Sequence, residues 1–146
     1  MQALARRIHT ATAWLLVASI VVQVFLAGSA LVSLGGTGDF GAHIDFGYTA
    51  VGLIALAVVL TAVAARAPQR DIAISFGILL LYVVQTALPA FRGSATWLAA
   101  LHPVNALLLF AATVWYARRS RAPRAIDTAI DVRGPASPVD AAAGGR

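Results

Sequence analysis

The chain of 146 residues contains no cysteine, no lysine and no glutamate. Without cysteine there are no disulfides, no thiolate ligands and no covalent c-type haem attachment. Eleven arginines stand beside the missing lysines, with alanine abundant, which looks like the compositional bias of a GC-rich genome and not mechanism. Charge of either sign is scarce, at 12% of residues, and falls outside the apolar runs or at their edges. Catalytic signatures are missing as well. There is no phosphate-binding glycine loop, no HExxH and no nucleophile–base pairing, and the segment LGGTGDFG lacks the lysine and flanking strand of a phosphate site. No residue is assigned a catalytic role, and the sequence leans away from an enzyme.

What is present is apolar. Hydrophobic residues make up 60% of the chain, and mean hydropathy is +0.81, which excludes an ordinary soluble domain of this size. Four runs reach the ~20 residues needed to cross a bilayer, at about 12–34, 43–65, 72–90 and 97–116. Backbone groups in lipid are satisfied internally, so the runs are helices. Their links are short, which predicts an all-α, antiparallel, up-down-up-down four-helix transmembrane bundle over 1–119. The remainder, 120–146, is rich in Arg, Ala, Gly, Pro and Asp and is expected to be a disordered tail.

Arginine sets the orientation. Arg6, Arg7, Arg66, Arg70, Arg118, Arg119, Arg121 and Arg124 fall on one side of the spans and only Arg92 on the other. The positive-inside rule then places both termini in the cytoplasm of a plasma-membrane protein. Clustered at segment ends, the arginines read as partners of lipid headgroups and not of nucleic acid. The basic start and the segment LAGSA of the first run also resemble a cleaved signal peptide. At 23 residues, though, the run exceeds the ~7–15 of a signal core, and a retained helix is expected.

Small and polar residues mark the inward faces of membrane helices. The expected stripes are Thr12, Ser19, Gln23, Ala27 and Ala30 on the first span; His43, Gly47, Ala50, Ala57 and Thr61 on the second; Ser75, Tyr82, Gln85 and Thr86 on the third; His102, Asn105, Ala106, Thr113 and Tyr116 on the fourth. Bundle packing with a few interhelical hydrogen bonds accounts for most of these, and Gln23 and Gln85 need no function to explain them. His9, among Arg6, Arg7 and Thr10, is expected to be a solvated interfacial residue. Pro103 is expected as a kink within a fourth helix starting near Ser94 or Thr96, because Pro103 to Tyr116 is too short to span.

His43 and His102 therefore stand out. Both lie near the outer end of a span, on an inward stripe, where an ionisable or metal-binding group is costly and points to function. Three readings stand side by side. The imidazoles can ligate both faces of a haem iron, with Gly47 and Ala106 one turn on leaving room for a flat macrocycle. Asp39 and Asn105 would then be supporting residues behind the ligands, and Arg92 would pair with a propionate. Alternatively, they are interfacial side chains bonding a neighbouring helix in a cofactor-free accessory protein. Third, they relay protons or sense pH.

Two stretches, QVFLAGSALVSLGGTGDFGAHIDFGYTAVG and LLLYVVQTALPAFRGSATWLAALHPVNALLLFAATVWYARR, together resemble one four-helix half of the haem A synthase family. That resemblance implies haem ligation by His43 and His102, matching the second- and fourth-helix histidines of such a half. It does not extend to oxidation of a haem methyl, because glutamate and the outer-loop cysteine pair are missing and the chain has half the helices. A homodimer would restore eight helices. The chain also resembles a family of small bacterial four-span proteins of no assigned function, through the segment around His43 and the stretch LHPVNALLLF. The function expected is thus a non-catalytic, b-type bis-histidine haem site used with a membrane redox partner, in sensing or in haem handling.

Overall fold

A computed structural model describes residues 2–121, and every regular element among them is helical. Four helical segments are long and apolar enough to cross a membrane: Gln2–Ala30, Gly41–Ala64, Gln69–Gly93 and Thr96–Arg121. The expected tail lies outside the described residues except for Ser120 and Arg121, which are still helical.

The first span is a single helix, α1 (Gln2–Ala30). It begins ten residues before the expected 12, because Gln2 to Thr12 contains no breaker and is dominated by Ala, Leu and Arg, strong helix formers. That early start carries His9 inside the span. After α1 the chain turns through a 3₁₀ turn at Val32–Leu34 and two left-handed glycines, Gly35 (φ 85°) and Gly38 (φ 82°), a conformation glycine adopts without a Cβ clash.

The second span is built from α2 (Gly41–Phe46), a π-helical turn at Gly47–Val51, and α3 (Gly52–Ala64). A π turn interrupts the regular i→i−4 ladder and is frequent at functional sites. Here it rotates the inward face: Gly47, Val51, Ala55, Val58 and Ala62 are buried, whereas the expected Ala50, Ala57 and Thr61 are half-buried. Beyond α3, Ala67 N–H donates to Ala62 O and Arg66 N–H to Val63 O, both at 2.9 Å. This is a Schellman closure.

The third span is α4 (Gln69–Ala87) continued by a 3₁₀ turn at Leu88–Gly93, which contains Pro89. The fourth divides into α5 (Thr96–Ala99) and α6 (Leu101–Arg121). The fourth span begins at Thr96, as expected, and its irregularity falls at Ala100, three residues before Pro103, which sits in the first turn of α6, where a missing N–H costs little. The helix starting there still suffices, because it runs past Tyr116 to Arg121, about 31 Å at 1.5 Å per residue.

Helix α1 packs against α3 and α6, and α4 packs against the same two. Their shared core holds Ala13, Leu16 and Ile20 of α1, Ala55 and Val58 of α3, Ile78 of α4, and Leu109, Tyr116 and Ala117 of α6. Alanine recurs wherever helices approach closely. The opposite faces expose Phe25, Leu53, Leu60, Leu80 and Leu107. Such a surface suits hydrocarbon better than water.

Polar side chains tie the helices together at both ends of this core. At one end are His43, His102, Gln23, Gln85 and Asn105. At the arginine-rich end, the Asp71 carboxylate of α4 meets the Arg119 guanidinium of α6 at 2.7 Å, and Thr10 donates to Ser120 O at 3.1 Å.

Candidate functional site

His43 is the third residue of α2 and His102 the second of α6. Their rings lie with centroids 6.3 Å apart and planes inclined at 74°. Two imidazoles on opposite sides of one metal ion, with metal–nitrogen bonds of ~2.0–2.1 Å as zinc shows, hold their ring centres about 6 Å apart. The observed centroid separation matches that spacing.

The two rings are held by the same device. His43 Nδ1 lies 3.0 Å from the backbone carbonyl of Gln23, and His102 Nδ1 lies 3.0 Å from that of Gln85. A carbonyl only accepts, so both Nδ1 atoms carry the proton and donate. In the neutral ring Nε2 is then the lone-pair nitrogen. Metal-binding histidines are prepared in this way, the far nitrogen anchored to a carbonyl or carboxylate.

The glutamine side chains add a second tie. Gln23 Nε2 donates to His43 O at 2.8 Å, bridging α1 to α2. Gln85 Oε1 accepts from Asn105 Nδ2 at 2.7 Å, and Gln85 Nε2 stands 3.1 and 3.2 Å from the two ring nitrogens of His102. Asn105 also donates to Leu81 O at 2.9 Å. Asn105 thus supports His102 through Gln85. Gln23 Oε1 is buried and has no hydrogen-bond partner, an unmet acceptor beside the histidines.

Glycines make the approach possible. A Cβ on Gly47 would stand 2.6 Å from Gln23 Nε2, and one on Gly52 would stand 2.5 Å from Tyr82 Oη. Tyr82 Oη instead donates to Gly47 O at 3.1 Å. The phenol thereby supplies a donor to a carbonyl at the start of the π turn.

A cavity of about 1110 Å³ borders the rings, slightly above the ~300–1,000 Å³ of most small-molecule sites. His43, His102, Gly47, Ala106 and Arg92 all line it, as do Gln23, Gln85 and Tyr82. Five of the seven residues singled out in the sequence thus share one wall system. Asn105 stands behind it. Asp39 departs from its expected role: its Oδ1 accepts the Gly41 N–H at 2.8 Å, at the start of α2. The His43 ring turns to the Gln23 carbonyl instead, which is supplied by packing against α1. Among the described residues no group of three or more His, Cys, Asp or Glu side chains stands together. Two imidazoles are too few for a closed zinc site of four protein ligands. A macrocycle brings four donors of its own and needs only axial ligands.

The interhelical hydrogen bonds expected of the stripes are present: Gln23 Nε2 donates to His43 O, Gln85 Nε2 stands beside the His102 ring, and Tyr82 Oη donates to Gly47 O. What spacing did not single out is that Gln23 and Gln85 each offer a main-chain oxygen to a histidine ring; a glutamine in an apolar run one span before each histidine was the available signal. His9 is not a solvated interfacial residue: it is only 6% exposed. Its Nδ1 meets Thr61 Oγ1 at 3.0 Å and its Nε2 meets Tyr116 Oη at 3.0 Å, joining α1, α3 and α6.

Nothing among curated proteins or solved structures matches the chain. The chain belongs to the family of unknown function DUF6220, whose sequence profile matches residues 23–95, half of its length.

Proposed function

We propose that this protein is a multi-pass membrane protein that holds a b-type haem between His43 and His102, without catalysing a reaction on it. The observation that carries the reading is the paired anchoring of the two Nδ1 atoms to backbone carbonyls of Gln23 and Gln85, with the rings 6.3 Å apart beside an apolar cavity. Haem supplies a one-electron centre when bound; the chain supplies ring orientation, a largely apolar surround, and Arg92 as a cation for a carboxylate at the rim. Electron transfer, sensing and haem handling are the roles open to such a site.

The spans run up, down, up and down, with both termini in the cytoplasm. In support, the end of α1 meets the start of α2 at Gln23–His43, and the start of α4 meets the end of α6 at Asp71–Arg119. The arginine bias supplies the orientation. Reporter fusions after Arg121 and within the 35–40 loop test it, with cytoplasmic activity expected only for the former.

The haem reading is tested by expression with ample haem, purification in detergent, and a reduced-minus-oxidised spectrum. A Soret band with sharp reduced bands is expected, lost in His43→Ala and in His102→Ala. Colourless native protein sinks the proposal. A second reading has its own support: Gln85 Nε2 stands within hydrogen-bond distance of His102 Nε2, so the histidines are already interhelical pins. On that cofactor-free reading, both alanine variants lose thermal stability and no haem is taken up by the native protein.

A further inference from the structure

The cavity beside the histidines is bounded on two flanks by very different contacts. On the α2–α4 flank, Tyr82 donates to Gly47 O at 3.1 Å and Tyr48 donates to Thr86 O at 3.4 Å, stitching the two spans at the level of the site. On the α1–α6 flank, Gln23 and His102 are engaged with α2 and α4, and the other lining groups are apolar: Val21, Val24 and Ala27 from α1, and Pro103, Leu107 and Phe110 from α6. Val21 is 54% exposed, Val24 60% and Leu107 70%, but Tyr48 at 60% and Ile44 at 49% are similarly open, so exposure does not separate the flanks. What separates them is that, among the described residues, no side-chain hydrogen bond joins α1 to α6 at this level. The unstitched flank faces sideways, onto the surface suited to hydrocarbon.

The same two helices are fastened at their other ends. Tyr116 donates to His9 Nε2 at 3.0 Å, and Thr10 donates to Ser120 O at 3.1 Å. Because His9 Nδ1 donates to the Thr61 hydroxyl, whose own hydrogen is engaged with a carbonyl, Nε2 is the lone-pair nitrogen and accepts the hydrogen bond from the phenol. Helices α1 and α6 are thus pinned at the arginine-rich end, whereas at the histidine end they present apolar groups to the cavity with no side-chain hydrogen bond between them among the described residues. Apolar contacts between helices lose little when lipid tails replace them.

We propose that haem enters and leaves this site laterally, from the bilayer, through the gap between α1 and α6, so that the lipid phase and not the aqueous phase is the donor and acceptor of the cofactor. The inference rests on the haem reading above. It makes the protein an exchangeable holder of membrane-dissolved haem, with the α1–α6 flank as the gate and the α2–α4 flank as the fixed wall.

The test reconstitutes full-length protein in vesicles that carry haem in their bilayer and follows growth of the Soret band. Loss of haem to apomyoglobin added outside is followed in the reverse direction. Leu107→Trp and Val24→Trp place a large side chain in the gap without burying it. Ile44→Trp, on a partly exposed cavity residue of α2, is the matched control. The expected result is severalfold slower loading and loss in the two gap variants, an unchanged final Soret spectrum, and native rates in Ile44→Trp. A normal final spectrum with rates unchanged in the gap variants, or slowed equally in the control, overturns lateral passage and leaves the haem site intact. Absence of a Soret band in the native protein overturns both.

Discussion

The His43 and His102 rings lie 6.3 Å apart between centroids with planes inclined at 74°, each plane held by a hydrogen bond from Nδ1 to a carbonyl on a different helix. Neither ring turns freely, because rotation about its side chain breaks the bond that sets it. Axial imidazoles held near perpendicular leave the low-spin ferric ion highly anisotropic. Electron paramagnetic resonance of the oxidised, haem-loaded protein is therefore expected to show one isolated feature at unusually high g, not a rhombic triplet. A rhombic spectrum would mean that the rings turn toward parallel on binding and that the carbonyl anchors give way.

The Gln23 amide is a tie sensitive to backbone volume. A Cβ at position 47 would lie 2.6 Å from Gln23 Nε2, closer than any unstrained contact. Gly47→Ala is expected to push the amide off His43 O, at a cost of about 1–3 kcal/mol for overpacking a tight site. Thermal melting in detergent should fall, and haem affinity should fall with it. Gln23→Ala in the Gly47→Ala background removes the clash and is expected to recover most of the melting temperature but not the affinity. Gly47→Ala with native melting and native affinity would show that the glutamine does not hold the ring.

Much of this was legible in the residues and some was not, for identifiable reasons. Four apolar runs and their arginine flanks follow from composition and length, and the helices lie where expected to within a turn at most ends. The inward placement of His43, His102, Gly47 and Ala106 followed from helical spacing. What spacing could not supply was the partner of each ring. Asp39 lies four residues before His43 and looked like the acceptor; the actual acceptor is a main-chain oxygen twenty residues earlier, which has no sequence signature. His9 was misplaced because a charged neighbourhood was taken to mean an interface. Arg6 and Arg7 are long enough to reach water from a buried turn, so the imidazole beside them can point inward.

The second polar cluster yields a separate expectation. Tyr116 is 1% exposed and His9 6%, and their rings meet edge-on at 5.5 Å between centroids in addition to the hydrogen bond. Tyr116→Phe deletes the hydroxyl and leaves the ring. A loss of about 0.5–2 kcal/mol is expected, the range found for hydrogen bonds between membrane helices. Thr61→Val removes the partner at the other ring nitrogen. Because both act on one imidazole, the double variant should cost less than the two losses added. Neither variant should alter a haem spectrum, since the cluster sits at the arginine-rich end. A spectral change in Tyr116→Phe would show that the two ends are coupled. Strict additivity would show that His9 does not link the two hydroxyls.

The closure of α3 offers the opposite sign of change. Arg66 has φ 49°, the one non-glycine residue in the left-handed region among those described. It occupies the position where a Schellman closure usually carries glycine, with Arg66 N–H on Val63 O and Ala67 N–H on Ala62 O. A side chain there costs about 1–2 kcal/mol from contact between Cβ and carbonyl. Arg66→Gly removes the contact but adds conformational freedom to the unfolded chain, so a net gain of up to ~1 kcal/mol is expected. On the proposed topology the exposed guanidinium is also one of the charges that set orientation, so an arginine kept at this position would serve insertion at the expense of stability. Arg66→Gly should melt higher in detergent while reporter fusions show weaker bias toward a cytoplasmic 65–69 loop. A lower melting temperature would mean that the arginine side chain makes a stabilising contact larger than the backbone strain.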